Sequence, residues 1–212
     1  MAFFVIGLGI ILAQKLYNKF LYNSSQANLT AVERTWINYR EDVLEVCKES
    51  DIAPEYLLAL IALECSGVKE IPSRFESHVF VKLQDVRSGT MPNFESITTH
   101  DIQSSSDDAL KNLASSWGPF QLMGYQCFYL DIKLKDLRGQ KAIYYGTKWI
   151  ENAYGKSLTK KRYKDAFHLH NTGKPYPKFG PPRTHSRRYV PNGLKLMKEF
   201  KAMLAHENSQ PE

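Results

Sequence analysis

The chain has 212 residues, 43% of them hydrophobic and 24% charged, with a formal net charge of +6 at pH 7. That length suits one domain with a substantial core. Three scattered cysteines, Cys47, Cys65 and Cys127, exclude a disulfide framework or a thiolate zinc site and allow one disulfide at most. The basic excess favours an acidic partner, whether nucleic acid, an anionic membrane surface or an anionic polymer such as cell wall, and does not choose among them.

Residues 2–13 are uninterrupted and apolar, shorter than the roughly 20 residues of a bilayer span and of the length of a signal-peptide core. No Lys or Arg precedes them; Lys15 and Lys19 follow, and Ser25-Gln26-Ala27 is a small-x-small site. Residues 1–22 therefore read as a signal segment or membrane anchor, with an N-terminal helix docked on the core as the alternative. Residues 23–29 read as a polar linker. Thr30 and Glu33 form a capping box that opens a helix carrying Trp36, Tyr39, Val43 and Cys47 at helical spacing. A second helix follows in residues 52–67, with Pro54 suited to its first turn and Gly67 to the position past its end.

Residues 71–83 alternate in a strand-like period, although a helix is also compatible with them. Residues 87–108 are rich in Ser, Thr, Asp and Gly and read as an exposed excursion. A short helix is predicted over 109–113, a turn over 115–119 and a helix over 120–129. Further helices are predicted over 136–154 and 162–170, the latter stopped by Asn171-Thr172-Gly173. Residues 174–183 carry four prolines and cannot be a regular helix. A last helix is expected over 189–205, with Pro191 in its first turn. The domain so defined spans 30–206 and leaves 207–212 as a polar tail. The fold class is mainly α, with at most a small β element.

The chemistry centres on Glu64. It sits in the last turn of its helix, where the macrodipole and apolar neighbours both disfavour a carboxylate charge, and a carboxyl group kept protonated is the form a general acid needs. There is no Gly-rich phosphate loop, no GxSxG elbow and no HExxH. The pairs His168/His170 and His78/His100 lack metal-ligand spacing. Neither a metal nor another cofactor is expected. Net charge apart, no nucleic-acid-binding signature is present.

Four segments carry a resemblance. They are Pro54…Leu57…Ala59…Ile61…Glu64-Cys65-Ser66-Gly67, then Ser116-Trp117-Gly118-Pro119-Phe120-Gln121-Leu122-Met123-Gly124, then Tyr144…Gly146…Trp149-Ile150 with His170-Asn171-Thr172-Gly173, and finally Tyr189-Val190. In this order they resemble the lysozyme-like superfamily, specifically the soluble-type (SLT) lytic transglycosylases and their goose-lysozyme relatives. Residues 74–80 (RFESHVF) also resemble a stretch of phage-type N-acetylmuramidase domains. Two positions depart from the pattern: His170 stands where the family has a tyrosine, and Cys65 follows the glutamate.

The resemblance implies a lysozyme-like helical domain with a glycan-binding cleft, located in the cell envelope. The activity it implies is that of a peptidoglycan lytic transglycosylase. Protonated Glu64 would cleave the β-1,4 bond between N-acetylmuramic acid and N-acetylglucosamine, then act as the base that closes a 1,6-anhydro sugar. Ser66, Gly118, Gln121, Met123, Tyr144, Asn171 and Tyr189 are the implied substrate-binding residues. A hydrolytic muramidase is the alternative, with Glu76 as candidate second carboxylate and Asp85 behind it, and an inactive peptidoglycan-binding scaffold is the other. The implied partners are glycan strands and, through the N-terminal segment, a membrane. The basic loop over residues 185–188 is a candidate contact for stem-peptide carboxylates.

Overall fold

The computed structural model describes residues 26–209. The expected signal or anchor over 1–22 lies outside them, as do residues 23–25 and 210–212. Helix α1 (Ala31–Cys47) begins at the Thr30–Glu33 capping box, with the Glu33 backbone N–H bonded to Thr30 Oγ1 and the Thr30 N–H bonded to Glu33 Oε2. Helix α2 (Pro54–Cys65) follows, with proline in its first turn and Ser66 as a left-handed C-cap. Tyr56 through Ala62 are all buried, so α2 is enclosed on every side, packed against α1 and against the last helix α9 (Tyr189–Glu207). Helices α7 (Ala142–Thr159) and α8 (Tyr163–Thr172) complete this core, and α8 meets α2 through the rings of Tyr163 and Phe167 against Tyr56.

A second, smaller core gathers Val79, Leu83, Val86, Ile97, Ile102, Leu110 and Ala114. It is built from α3 (Ser77–Ser88), the hairpin β2 (Asn93–Phe94) and β3 (Ile97–Thr98), α4 (Thr99–Ile102) and α5 (Asp107–Leu113). A three-stranded antiparallel sheet runs between the two cores. Its order is β1 (Arg74–Phe75), β4 (Ser115–Trp117), β5 (Leu122–Met123), with Arg74 opposite Ser116 and Ser116 opposite Met123. From this hairpin Phe120 and Leu122 enter the larger core, while Met123 packs on the smaller. Helix α6 (Gln126–Leu130) and a 3₁₀ turn (Leu134–Leu137) lead back to α7.

Several expectations need correction. The strand-like alternation over 71–83 holds only for Arg74 and Phe75. From Ser77 the chain is helical because Val79, Leu83 and Val86 fall on one buried face. The excursion over 87–108 is not a loose loop, since Ile97 and Ile102 close the second core. Residues 120–129 are not one helix: β5 intervenes, and the Gly124 N–H bonds to the Ser115 carbonyl across the hairpin. The helix expected over 136–154 begins at Ala142 and runs to Thr159, with non-helical backbone at Tyr154. Two contacts reach residues just outside 30–206. The Gln26 carbonyl accepts from Arg34 Nη1 at 3.0 Å, and Glu207 pairs with Arg40 at 2.8 Å. Among the described residues, no helix is long and apolar enough to cross a membrane.

Gly146 lets α7 lie directly on Phe120: a Cβ there would stand 2.2 Å from the buried Phe120 ring, so one of the two would have to shift. Gly146→Ala is expected to lower unfolding free energy by about 1–3 kcal/mol through overpacking, measurable by urea denaturation.

Candidate active site

Glu64 lies one residue before the end of α2, so the packing of that helix fixes where its carboxyl projects. Its side chain is 15% exposed. Tyr189, the first residue of α9, is buried, and its hydroxyl donates a short hydrogen bond to Glu64 Oε1. Burial, followed by the Glu64 charge, pushes the Tyr189 pKa well above the ordinary phenol value, so Tyr189 acts as a donor. Oε1 is thereby engaged as an acceptor.

His170, near the end of α8, approaches the same oxygen, with Nε2 3.8 Å from Glu64 Oε1. Its two nitrogens are both committed. Nε2 is 2.9 Å from the Phe120 carbonyl, which can only accept, so Nε2 bears the hydrogen. Nδ1 is then an acceptor for the Tyr154 hydroxyl at 2.8 Å, and the Tyr56 hydroxyl donates to Tyr154 at 3.3 Å. The edge-on ring of Trp149 closes over Tyr154 and His170. Burial holds the His170 pKa below the usual imidazole value, against the opposing pull of the Glu64 charge and the Phe120 carbonyl. The imidazole beside Glu64 is therefore neutral, and its tautomer is set by backbone on one side and a phenol on the other.

The other expected site residues fall in distinct places. Asn171 is next to His170 in sequence, but its amide is engaged with His185: Nδ2 donates to His185 Nδ1 at 2.7 Å, and Oδ1 accepts from the His185 backbone N–H at 3.1 Å. The His185 ring in turn lies edge-on to Tyr189, with centroids 5.2 Å apart. Gln121 braces the β4–β5 turn, its Oε1 accepting from Ser116 Oγ at 2.8 Å and its Nε2 donating to the Gly118 carbonyl at 3.0 Å. Gly118 has φ +71°, and a Cβ there would meet the Leu137 carbonyl at 1.9 Å. The close backbone approach expected at Gly118 is thus made by the 3₁₀ turn. Ser66 is exposed at the end of α2, and its carbonyl accepts from Arg34 Nε at 2.9 Å. Met123 packs on the smaller core. Tyr144 is exposed on α7 beside Tyr145 and under Lys148. Glu76, the candidate second carboxylate, stands at the N-cap position of α3, and its carboxylate is bound by Arg74 at 2.7 Å. Asp85 lines a surface depression with Arg87 and residues 103–106.

His170, Tyr154 and the Phe120 carbonyl were not among the expected site residues. In the sequence His170 stood out as a departure from a tyrosine and as one of a histidine pair without metal-ligand spacing, and Tyr154 as a core contact. A cavity of about 550 Å³ opens between Tyr39, Lys69, Gly118, Lys135 and Arg138, and Glu64 is not among its lining residues. Cys47, Cys65 and Cys127 are free thiols, pushed up to about 12, 12 and 11 mainly by burial, which suits packing rather than nucleophilic work. Among the described residues, no group of three His, Cys, Asp or Glu side chains is arranged to hold a metal ion. No protein-family model, curated protein or solved structure matches this chain.

The neutral His170 links stability to pH. Its folded pKa lies below the unfolded value near 6.5, so the unfolded chain takes up a proton first as pH falls. The contribution is intact above pH ~6.5 and is lost on acidification towards the folded pKa. Urea denaturation between pH 7.5 and pH 5 (both about) should show wild type losing stability by up to ~1.4 kcal/mol per pH unit more than His170→Gln, which has no titrating ring.

Proposed function

We propose that this chain is a peptidoglycan lytic transglycosylase of lysozyme-like fold. In this reading Glu64 serves as acid and then as base at the β-1,4 bond between N-acetylmuramic acid and N-acetylglucosamine. The observation that carries the reading is the Tyr189 hydroxyl bound to Glu64 Oε1, with neutral His170 at 3.8 Å from the same oxygen. A half-buried carboxyl with one oxygen engaged leaves the other to hand a proton to the glycosidic oxygen. Once the proton has left, the Tyr189 hydroxyl satisfies the carboxylate, which then takes the proton from the C6 hydroxyl as that oxygen closes onto C1. The sugar passes through an oxocarbenium-like transition state.

A single-carboxylate route is favoured over hydrolysis by the engagement of Glu76 with Arg74 at 2.7 Å. The arrangement of two hydrophobic cores on either side of the β4–β5 hairpin supports a glycan groove between them, with Glu64 at the edge of the larger core. The apolar segment at residues 2–13 and the net charge of +6 support an envelope location and an anionic polymer as partner.

The test is digestion of purified sacculi with product identification by mass spectrometry. Wild type should release 1,6-anhydro-muropeptides. Glu64→Gln should keep the wild-type melting curve and lose on the order of 10²–10⁴ in rate, the span of a lost general acid. Reducing-end products in place of anhydro ends would make the enzyme a hydrolase. An inert wild type that still binds sacculi would make it a scaffold. Tyr189→Phe should lower turnover more than it raises KM, because the hydroxyl it removes is the one bonded to Glu64 Oε1.

A further inference from the structure

Residues 174–183 pass through four prolines, which stiffen them, and close into a loop at their base. One buried imidazole makes the closure. His168 Nδ1 donates to the Lys174 carbonyl at 2.7 Å, and His168 Nε2 accepts the Arg183 backbone N–H at 3.1 Å. Tyr176 is drawn down to this neck, its backbone N–H bonded to Asp165 Oδ1 at 3.1 Å and its ring edge-on to His168 with centroids 5.6 Å apart. Phe179, midway between the tied ends, is 93% exposed, more than any other large apolar residue described. A phenyl ring held out in water by a stiffened loop forgoes the burial that stabilises such side chains elsewhere.

The charges along this segment are of one sign. Lys174, Lys178, Arg183, Arg187 and Arg188 are all exposed, and no Asp or Glu lies between Gly173 and Arg188. The segment also returns to a particular end of the domain. It leads into Tyr189, which is bonded to Glu64 near the C-terminus of α2. The Gln26 carbonyl is held by Arg34 Nη1, and Arg34 Nε donates to the carbonyl of Ser66, two residues past Glu64. The chain that carries the apolar run over 2–13 therefore joins the domain at the same end of α2.

We infer that the loop over 174–183 is a membrane-docking surface, with Phe179 entering the interfacial layer of an anionic bilayer and Lys174, Lys178 and Arg183 meeting its headgroups. One apolar ring among positive charges matches a bilayer, where hydrocarbon lies beneath a negative layer. A strand of nucleic acid asks instead for successive aromatic faces on which bases stack, and the loop's tyrosine is held against His168. A single ring and a few charges give weak, reversible attachment, which a second attachment at the same end of the domain strengthens by raising the local concentration. The apolar run over 2–13 is the candidate for that second attachment. The loop's role does not depend on the reaction at Glu64.

The experiment mixes the full chain with vesicles of phosphatidylglycerol and phosphatidylcholine and reads binding by co-sedimentation. Phe179→Ser, at so exposed a position, should keep the wild-type melting curve. It should lower partition onto the anionic vesicles on the order of tenfold, the effect of one apolar ring leaving the interface. Lys178→Glu combined with Arg183→Glu should lower it by at least as much and weaken its dependence on salt. Phe179→Trp reports the position of the ring. With brominated phosphatidylglycerol chains its emission should be quenched beyond that of wild type, whose three tryptophans set the baseline. Equal binding by wild type and Phe179→Ser, or sedimentation without that extra quenching, would leave attachment to other parts of the chain and overturn the inference. So would an absence of vesicle binding, or equal binding to pure phosphatidylcholine. A DNA duplex bound by wild type and lost in the same variants, with vesicles left unbound, would make the loop a nucleic-acid surface instead. None of these readouts involves sugar cleavage, so an inert protein in the sacculus assay would leave them unchanged.

Discussion

The hydrogen bond from Tyr189 to Glu64 joins residues 125 positions apart and ties the end of α2 to the start of α9. A carboxyl group largely withdrawn from water needs a partner, and a phenol pushed far above its ordinary pKa supplies a donor that does not compete for the proton. Everything that places Glu64 converges on this contact. Helix α2 is buried on all sides and cannot rotate, and α9 lies along it, so the two helix ends meet with little freedom. His170 adds a second wall whose tautomer is set by the Phe120 carbonyl and the Tyr154 hydroxyl.

The seam between the two hydrophobic cores gives the Phe120 carbonyl its place. Ser116 and Gln121 lock the β4–β5 turn, while Gly118 lets the 3₁₀ turn approach from behind. Phe120 is then driven into the larger core against Gly146, which leaves its carbonyl facing His170. A hairpin of very few residues thereby sets the protonation pattern of a side chain fifty positions later in the chain. The rigidity comes from packing and bonded backbone rather than from strand length.

The proline-rich segment between α8 and α9 is held in a comparable way. His168 is buried, accepting from the Arg183 N–H at 3.1 Å and donating to the Lys174 carbonyl at 2.7 Å. Asp165 accepts from the Tyr176 N–H at 3.1 Å, and Asn171 holds His185. A stretch with few backbone N–H groups cannot build a ladder of its own. Side chains of the preceding helix supply the missing partners, and they fix the loop just where it leads into Tyr189.

Sequence alone determined the local elements whose signals are complete within a few residues: the Thr30–Glu33 capping box, the Pro54 start of α2, the predominance of helix, and the carboxylate of Glu64 at a helix end. It marked Tyr189 as a site residue through the resemblance, and the folded chain brings that hydroxyl to Glu64. It left residues 71–83 open between strand and helix and misread 87–108 as an exposed excursion, because short apolar spacings are ambiguous until a second core exists to bury them. Only tertiary structure decided that His170 and Tyr154 border the carboxyl, that Gln121 braces a turn, and that Asn171 is spent on His185. The physical reason is the same in each case. A helix cap is satisfied by neighbours in sequence, whereas a buried hydroxyl, amide or imidazole takes its partner from whatever distant segment the packing brings within bonding distance.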